Sequence, residues 1–163
     1  MSPLGAASVS GSLVFGIGTQ ANNALGSAAV FTVDVQGNFT TVYQGQSYGG
    51  SFLDTGSNGI FFLDSATTGL PSCPDDTDFY CPASPQLVSA THRGVNATTG
   101  AVTFGVANAD MLLGNLSFSV FSTLAGQNPG SFDWGLPFFF GRNVFTAIES
   151  ESTPAGVGPY WAY

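Results

Sequence analysis

The chain has 163 residues, enough for one domain with a proper core, and its 44% hydrophobic content with 15 Phe excludes a disordered polymer. Only 7% of residues are charged, Lys is absent, the cations are Arg93 and Arg142, and the net charge is −8. That balance argues against nucleic acid, whose phosphates need a basic surface, and against an anionic membrane surface. No segment approaches the length of a transmembrane helix. The start, Met-Ser-Pro-Leu-Gly-Ala-Ala-Ser, lacks a basic region and a long apolar run, so no signal peptide is visible. The chain is therefore expected to be cytoplasmic, or part of a longer protein whose export signal lies upstream.

In chain order, residues 9–17 predict a strand and 19–27 a polar loop. Residues 28–34 alternate into a second strand, with Phe31 and Val33 on one face. Gln36-Gly37-Asn38 is a turn, and 39–43 return as a third strand. Residues 48–54 lead into the turn Asp54-Thr55-Gly56-Ser57-Asn58-Gly59, and the apolar run 60–63 leaves it. A long loop, rich in Pro, Asp, Ser and Thr, spans 64–85; loops of this length are usually functional or tied down. It holds Cys73 and Cys81, which predict a local disulfide in an oxidising compartment. Two thiols with one distant His make no zinc site.

Residues 86–92 form a strand and 94–100 a turn, and 101–107 alternate with Val102, Phe104 and Val106 on one face. Asn108 is placed to cap a short helix over 108–113, with Asp110 in its first turn. Residues 116–121 predict a strand, 126–131 a loop, and 132–140 a densely apolar, central segment. Gly141-Arg142-Asn143 breaks that segment. Strands follow at 144–148 and 160–163, with a loop between them. Many short strands separated by turn signals predict an all-β fold over 1–163.

The chemistry concentrates at Asp54. A carboxylate delivered by a buried strand into a tight turn must be hydrogen-bonded, paired or protonated. The hydroxyls of Thr55 and Ser57 and the local N–H groups are within reach. The same residue types also describe an Asp that only stabilises its own turn. Asp75, Asp76 and Asp78 in the tethered loop could attract Ca²⁺, but they lack the Gly and distal Glu of an EF-hand loop, and the expectation is a solvated acidic loop with no metal. His92-Arg93 has no accompanying Ser nucleophile elbow, so His92 is expected at a strand end near solvent. Arg142 is expected to pair a carboxylate, with Asp133 and Glu149 as candidates. Phe132, Trp134, Phe138, Phe139, Phe140 and Phe145 are expected in the core. Asn38, Asn96 and Asn115 each open an Asn-X-Ser/Thr triplet, relevant only where the host glycosylates secreted proteins.

Apolar residues followed by Asp54-Thr55-Gly56-Ser57 resemble the active-site motif of aspartic peptidases. Phe139-Phe140-Gly141, followed by 142–149, resembles the apolar-apolar-Gly segment that threads beside the catalytic turn in the carboxy-terminal lobe of pepsin-like enzymes. Ser12 to Gly16 resembles that lobe's opening strand, and Val157-Gly158 with the last strand resembles its end. The whole chain also resembles the carboxy-terminal half of an uncharacterised bacterial family of longer, exported, pepsin-like proteins, through 52–64, 80–85, 106–111 and 132–148.

The resemblance implies a single pepsin-like lobe of mostly antiparallel sheets, with Asp54 as a catalytic carboxyl. It gives Thr55 a role in cross-linking two lobes, Gly56 in keeping the turn close, and Ser57 in hydrogen-bonding the carboxylate. Phe139, Phe140 and Gly141 would support the site. Such enzymes need two carboxylates that share one proton. The chain carries one such motif, so its implied partner is a missing amino-terminal lobe or, as in retroviral-type peptidases, a second copy of itself. The implied substrate is a peptide, no cofactor is implied, and the isolated chain is expected to be inactive. The parent protein is expected to be extracytoplasmic. The hairpin turn 95–100 lacks the Tyr that covers substrate in amino-terminal lobes, which favours a second lobe. The rival expectation is a non-catalytic extracytoplasmic binding or structural β-domain.

Overall fold

A computed structural model describes residue 2 and residues 4–163. Met1 and Pro3, on which part of the signal-peptide reading rests, lie outside the described residues. Twelve strands follow in order: β1 Val30–Thr32, β2 Phe39–Tyr43, β3 Gln46–Leu53, β4 Ile60–Leu63, β5 Gln86–Arg93, β6 Thr99–Val106, β7 Ala125–Gly126, β8 Asn128–Trp134, β9 Phe145–Ala147, β10 Ser152–Thr153, β11 Gly156–Val157 and β12 Tyr160–Ala162. Two short helices interrupt them, α1 Ser65–Thr68 and α2 Ala109–Leu113. The expected all-β class thus holds at the level of a mainly β protein.

The main sheet has seven strands in the order β6-β5-β2-β3-β8-β4-β7 and curls into a nearly closed, barrel-like form. It is mixed: β8 runs parallel to β3 and antiparallel to β4, and β7 runs parallel to β4. A three-stranded sheet, β1-β12-β9, and the small hairpin β10-β11 complete the fold. Alternation places the core. Phe39, Thr41 and Tyr43 of β2 point inward, as do Val102, Phe104 and Val106 of β6, because successive strand residues take opposite faces. Their side chains meet Phe62, Tyr80, Phe132 and Trp134, all fully buried. Phe132 stacks between Phe62, at 5.3 Å, and Trp134, at 5.5 Å.

Several expected elements differ. Residues 9–17 form no strand, and Leu13 and Phe15 are 83% and 85% exposed. An alternating apolar run becomes a strand only when another strand pairs with it, and no described residue does so here. Residues 116–121 hold only a bridge, in which Ala6 and Val120 exchange backbone hydrogen bonds, and Leu116 is exposed. Most of the expected loop 126–131 belongs to β8. The long loop contains α1, capped by Asp64, whose Oδ1 accepts the Thr67 N–H at 2.7 Å. The segment 132–140 divides in two: β8 ends at Trp134, and a 3₁₀ turn at Leu136–Phe139 follows, with Pro137 in its first turn. Proline has no N–H to offer a ladder, so the apolar run cannot continue as a strand through Pro137.

Candidate active site

Strand β3 carries the apolar residues Phe52 and Leu53 alongside β8 and ends at Leu53, with Asp54 next in the chain. The Asp54 N–H still donates to the Trp134 carbonyl, at 3.0 Å, so the backbone of this residue is held by the sheet while its side chain enters the turn. The turn then folds back on the carboxylate. Asp54 Oδ1 accepts the Gly56 N–H at 2.7 Å, and Oδ2 accepts the Ser57 hydroxyl at 2.7 Å. These donors, Gly56 first, hold the Asp54 carboxyl below the usual carboxylate range. Asp54 is half-buried, and Thr55 and Gly56 are exposed. The carboxylate is thus ionised, fixed by its own turn and open to solvent. Among the described residues, no hydrogen bond engages the Thr55 hydroxyl.

The segment threaded beside the turn is Trp134-Gly135, which corrects the expectation placed on Phe139-Phe140-Gly141. Leu53 registers with Trp134, and the Leu136 N–H donates to the Ser57 carbonyl at 2.7 Å. A Cβ on Gly135 would lie 2.0 Å from the Gly59 carbonyl oxygen, so only glycine fits against the turn. Gly141, by contrast, has open space around it and a left-handed φ of +72°, and it serves to turn the chain after the 3₁₀ turn. The register of β3 on β8 decides between these two apolar-Gly candidates. Phe139 and Phe140 lie beyond the site on that 3₁₀ turn and its cap.

Asp133 is the site residue that sequence reasoning missed. Phe132 and Trp134 point into the core, so Asp133 between them takes the outer face, with Phe52 on β3 and Phe61 on β4 as its register partners. It reaches Ser57, whose Oγ lies 2.8 Å from Asp133 Oδ2. Desolvation first, and then the nearby Asp54 charge, raise the Asp133 carboxyl above the usual range. The pattern Phe-Asp-Trp-Gly held the available signal: an Asp between two core aromatics of a strand must leave the core side.

Other candidates fall elsewhere. Cys73 and Cys81 are joined by a disulfide, with Cα atoms 4.7 Å apart. The acidic loop does not converge: among the described residues, the one cluster with ligand atoms close enough for a metal is Cys73, Cys81 and Asp110, and the disulfide consumes both thiols. His92 is not near solvent but completely buried, ringed by Phe39, Trp134, Phe138 and Tyr163, because its position on β5 alternates inward. Burial drives its pKa down to about 3, so it is neutral. Arg142 pairs neither Asp133 nor Glu149. Its guanidinium donates to the Phe138 carbonyl and lies 4.5 Å from the centre of the Phe138 ring, because the turn at Gly141 folds it back onto the 3₁₀ turn.

The hairpin turn between β5 and β6 packs against β1. Asn96 ties it to β1: its side-chain amide donates to the Val30 carbonyl at 3.0 Å, and its backbone N–H donates to the Thr32 hydroxyl oxygen at 2.8 Å. A depression of about 760 Å³ lies beside the site, lined in part by Phe104, Trp134, Phe138, Phe140 and Arg142, and it does not include Asp54 or Ser57.

The whole chain, residues 1–163, matches the model of a family described as Protein of unknown function (DUF3443), and it belongs to that family. No curated protein and no solved structure matches it.

Proposed function

We propose, for this member of a family without an assigned activity, that the chain is one lobe of an aspartic-peptidase-type site and contributes Asp54 as one of two catalytic carboxyls. The observation that supports this reading is the state of Asp54: an ionised carboxylate at a strand end, held at 2.7 Å by Gly56 and by Ser57 and open on its outer side. A carboxylate so held can take a proton from water as the water attacks an amide carbon. The carbonyl oxygen then needs a proton from a second carboxyl facing the first across the scissile bond. A partner lobe supplies that group. The exposed Thr55 hydroxyl fits the same picture, since its partner would lie on the other lobe. The disulfide favours an oxidising, extracytoplasmic location for the parent protein.

The test is peptide cleavage at acid pH by the chain alone, by the chain joined to a lobe with its own Asp-Thr-Gly turn, and by Asp54→Asn in the joined protein. Cleavage by the joined protein that is lost in Asp54→Asn supports the proposal. Pepstatin-sensitive cleavage by the chain alone favours instead a homodimer, which light scattering would detect. A non-catalytic binding or structural domain is the second reading, because the Asp54 carboxylate is satisfied by its own turn. Unchanged cleavage in Asp54→Asn would favour it.

A further inference from the structure

The Ser57 hydroxyl lies between two carboxyl groups, 2.7 Å from Asp54 Oδ2 and 2.8 Å from Asp133 Oδ2. A hydroxyl carries one hydrogen and accepts through its lone pairs. It cannot donate to both carboxylates at once. Both distances are satisfied together only if one carboxyl is protonated and donates to Ser57 Oγ, while Ser57 donates to the other. Two ionised groups would leave one pair of oxygens in contact without a hydrogen between them.

The surroundings decide which group holds the proton. Asp54 already accepts the Gly56 N–H and is open to solvent, so its charge is well supported. Asp133 sits between the half-buried rings of Phe52 and Phe61, and its Oδ1 is buried without a hydrogen-bond partner among the described residues. An ionised carboxylate with one dry, unpartnered oxygen is costly, whereas a protonated one leaves only a carbonyl oxygen there. The titratable group that faces Asp133 is Asp54; the other facing groups are Ser57, Phe52 and Phe61. Neither arginine acts on it: Arg142 lies over Phe138, and Arg93 pairs with Thr40 and Thr99 on β5, with β2 and β3 between it and β8.

We propose that Asp133, Ser57 and Asp54 form one proton-sharing chain, in which Asp133 is a positioning residue that stores a proton beside the ionised Asp54 and orients the Ser57 hydroxyl toward it. The step balances. Asp133 Oδ2 gives its proton to Ser57 Oγ as the Ser57 hydrogen passes to Asp54 Oδ2. One proton moves from Asp133 to Asp54, and the total charge is unchanged. As an account of catalysis this rests on the reading of Asp54 as a catalytic carboxyl; as an account of titration it stands without that reading.

The experiment is a side-chain carboxyl titration by NMR on the full chain with ¹³C-labelled Asp, with no substrate present. In the native sequence, Asp133 is expected to keep its proton above the ordinary value of 3.8 and Asp54 to lose its proton below it. In Asp54→Asn the Asp133 midpoint falls, because the charge that opposed its ionisation is gone. In Asp133→Asn the Asp54 midpoint stays in place and the upper step vanishes, since an amide N–H can replace the acid as donor to Ser57. An Asp133 that titrates at or below 3.8, or whose midpoint Asp54→Asn leaves unmoved, overturns the proposal. The native titration needs no variant to fold. Its outcome is also separate from the cleavage assay: coupled titration without proteolysis removes only the peptidase reading, and proteolysis with an ordinary Asp133 removes only this one.

Discussion

The Asp54 N–H donates to the Trp134 carbonyl at 3.0 Å, and this bond ties the residue that begins the turn to the residue that ends β8. The turn therefore sits on the main sheet rather than on a free loop. Gly135, next in the chain, lets the two backbones touch, because its missing Cβ would lie 2.0 Å from the Gly59 carbonyl oxygen. Gly135→Ala is expected to destabilise the protein by about 1–3 kcal/mol or more, since backbone must move to admit the methyl. Gly141→Ala meets nothing in space and carries only left-handed strain, about 1–2 kcal/mol. The decisive measurement is carboxyl titration of Asp54 in both variants. Gly135→Ala should raise the Asp54 midpoint by loosening its donors, and Gly141→Ala should not. Equal effects would mean that Gly135 has no special relation to the turn.

Trp134 is held from the core side as well. Its indole Nε1–H donates to the Thr41 hydroxyl at 3.1 Å, and both residues are fully buried. Thr41→Val keeps the shape and leaves the indole N–H orphaned, a cost of about 1–3 kcal/mol. In a Trp134→Phe background the same change has no donor to strand and should cost less, which a double-mutant cycle by denaturant unfolding would read directly. Additive costs would show that the bond contributes nothing.

Local chemistry was legible in advance, and pairing was not. The alternation of Val102, Phe104 and Val106 announces the buried face of β6, and the run Asp54 to Gly59 announces a turn that holds its own carboxylate. Both depend on residues a few positions apart. Asp133 escaped because its importance depends on the parallel register of β8 on β3, which brings it to Ser57 across 76 positions of chain. The choice of Gly135 over Gly141 rests on the same register. His92 escaped for a related reason: one strand residue earlier or later would have faced solvent, and only the pairing of His92 with Thr41 on β2 sets its side. Residues 9–17 show the converse, since periodicity marks a candidate strand but not its partner.

The disulfide stabilises a second, separate cluster formed by Cys73, Ala107, Ala109, Leu112, Phe121 and Leu124. The two cysteines are eight positions apart, and loop-closure entropy for so short a ring gives about 2–3 kcal/mol. Reduction should lower unfolding stability by about that amount. Backbone bonds between Cys73 and Phe79 and between Cys81 and Pro71 keep the loop closed in the folded state. Asp54 lies outside this cluster, so its titration should be unchanged by reduction. A reductant that alters the Asp54 titration while the chain stays folded would contradict this separation.

His92 makes the fold sensitive to mild acid. Its Nδ1 shares a hydrogen bond with the Tyr163 hydroxyl, and its Nε2 is buried without a partner among the described residues. Its pKa is about 3 when folded, against an ordinary 6.5, because burial opposes the charged ring and the Arg142 charge adds to that. The unfolded chain therefore takes up a proton that the folded chain refuses. Stability from the neutral His92 is complete above pH 6.5 and is lost as the pH falls towards about 3, at about 1.4 kcal/mol per pH unit between those limits. Asp54, Asp34 and Asp64, with carboxyls held low, add to the loss only below their ordinary 3.8. Asp133, held high, acts in the opposite sense, favouring the fold while protonated and losing that contribution as the pH rises through its folded midpoint. Below pH 6.5 His92 adds its slope to that of the carboxyls, and His92→Gln, which cannot titrate, should remove that part from a plot of unfolding free energy against pH. His92→Gln with an unchanged slope below pH 6.5 would assign the acid sensitivity to other groups. A lobe that works at acid pH would meet this cost while unpaired, and any partner that binds only the folded form would offset it by mass action.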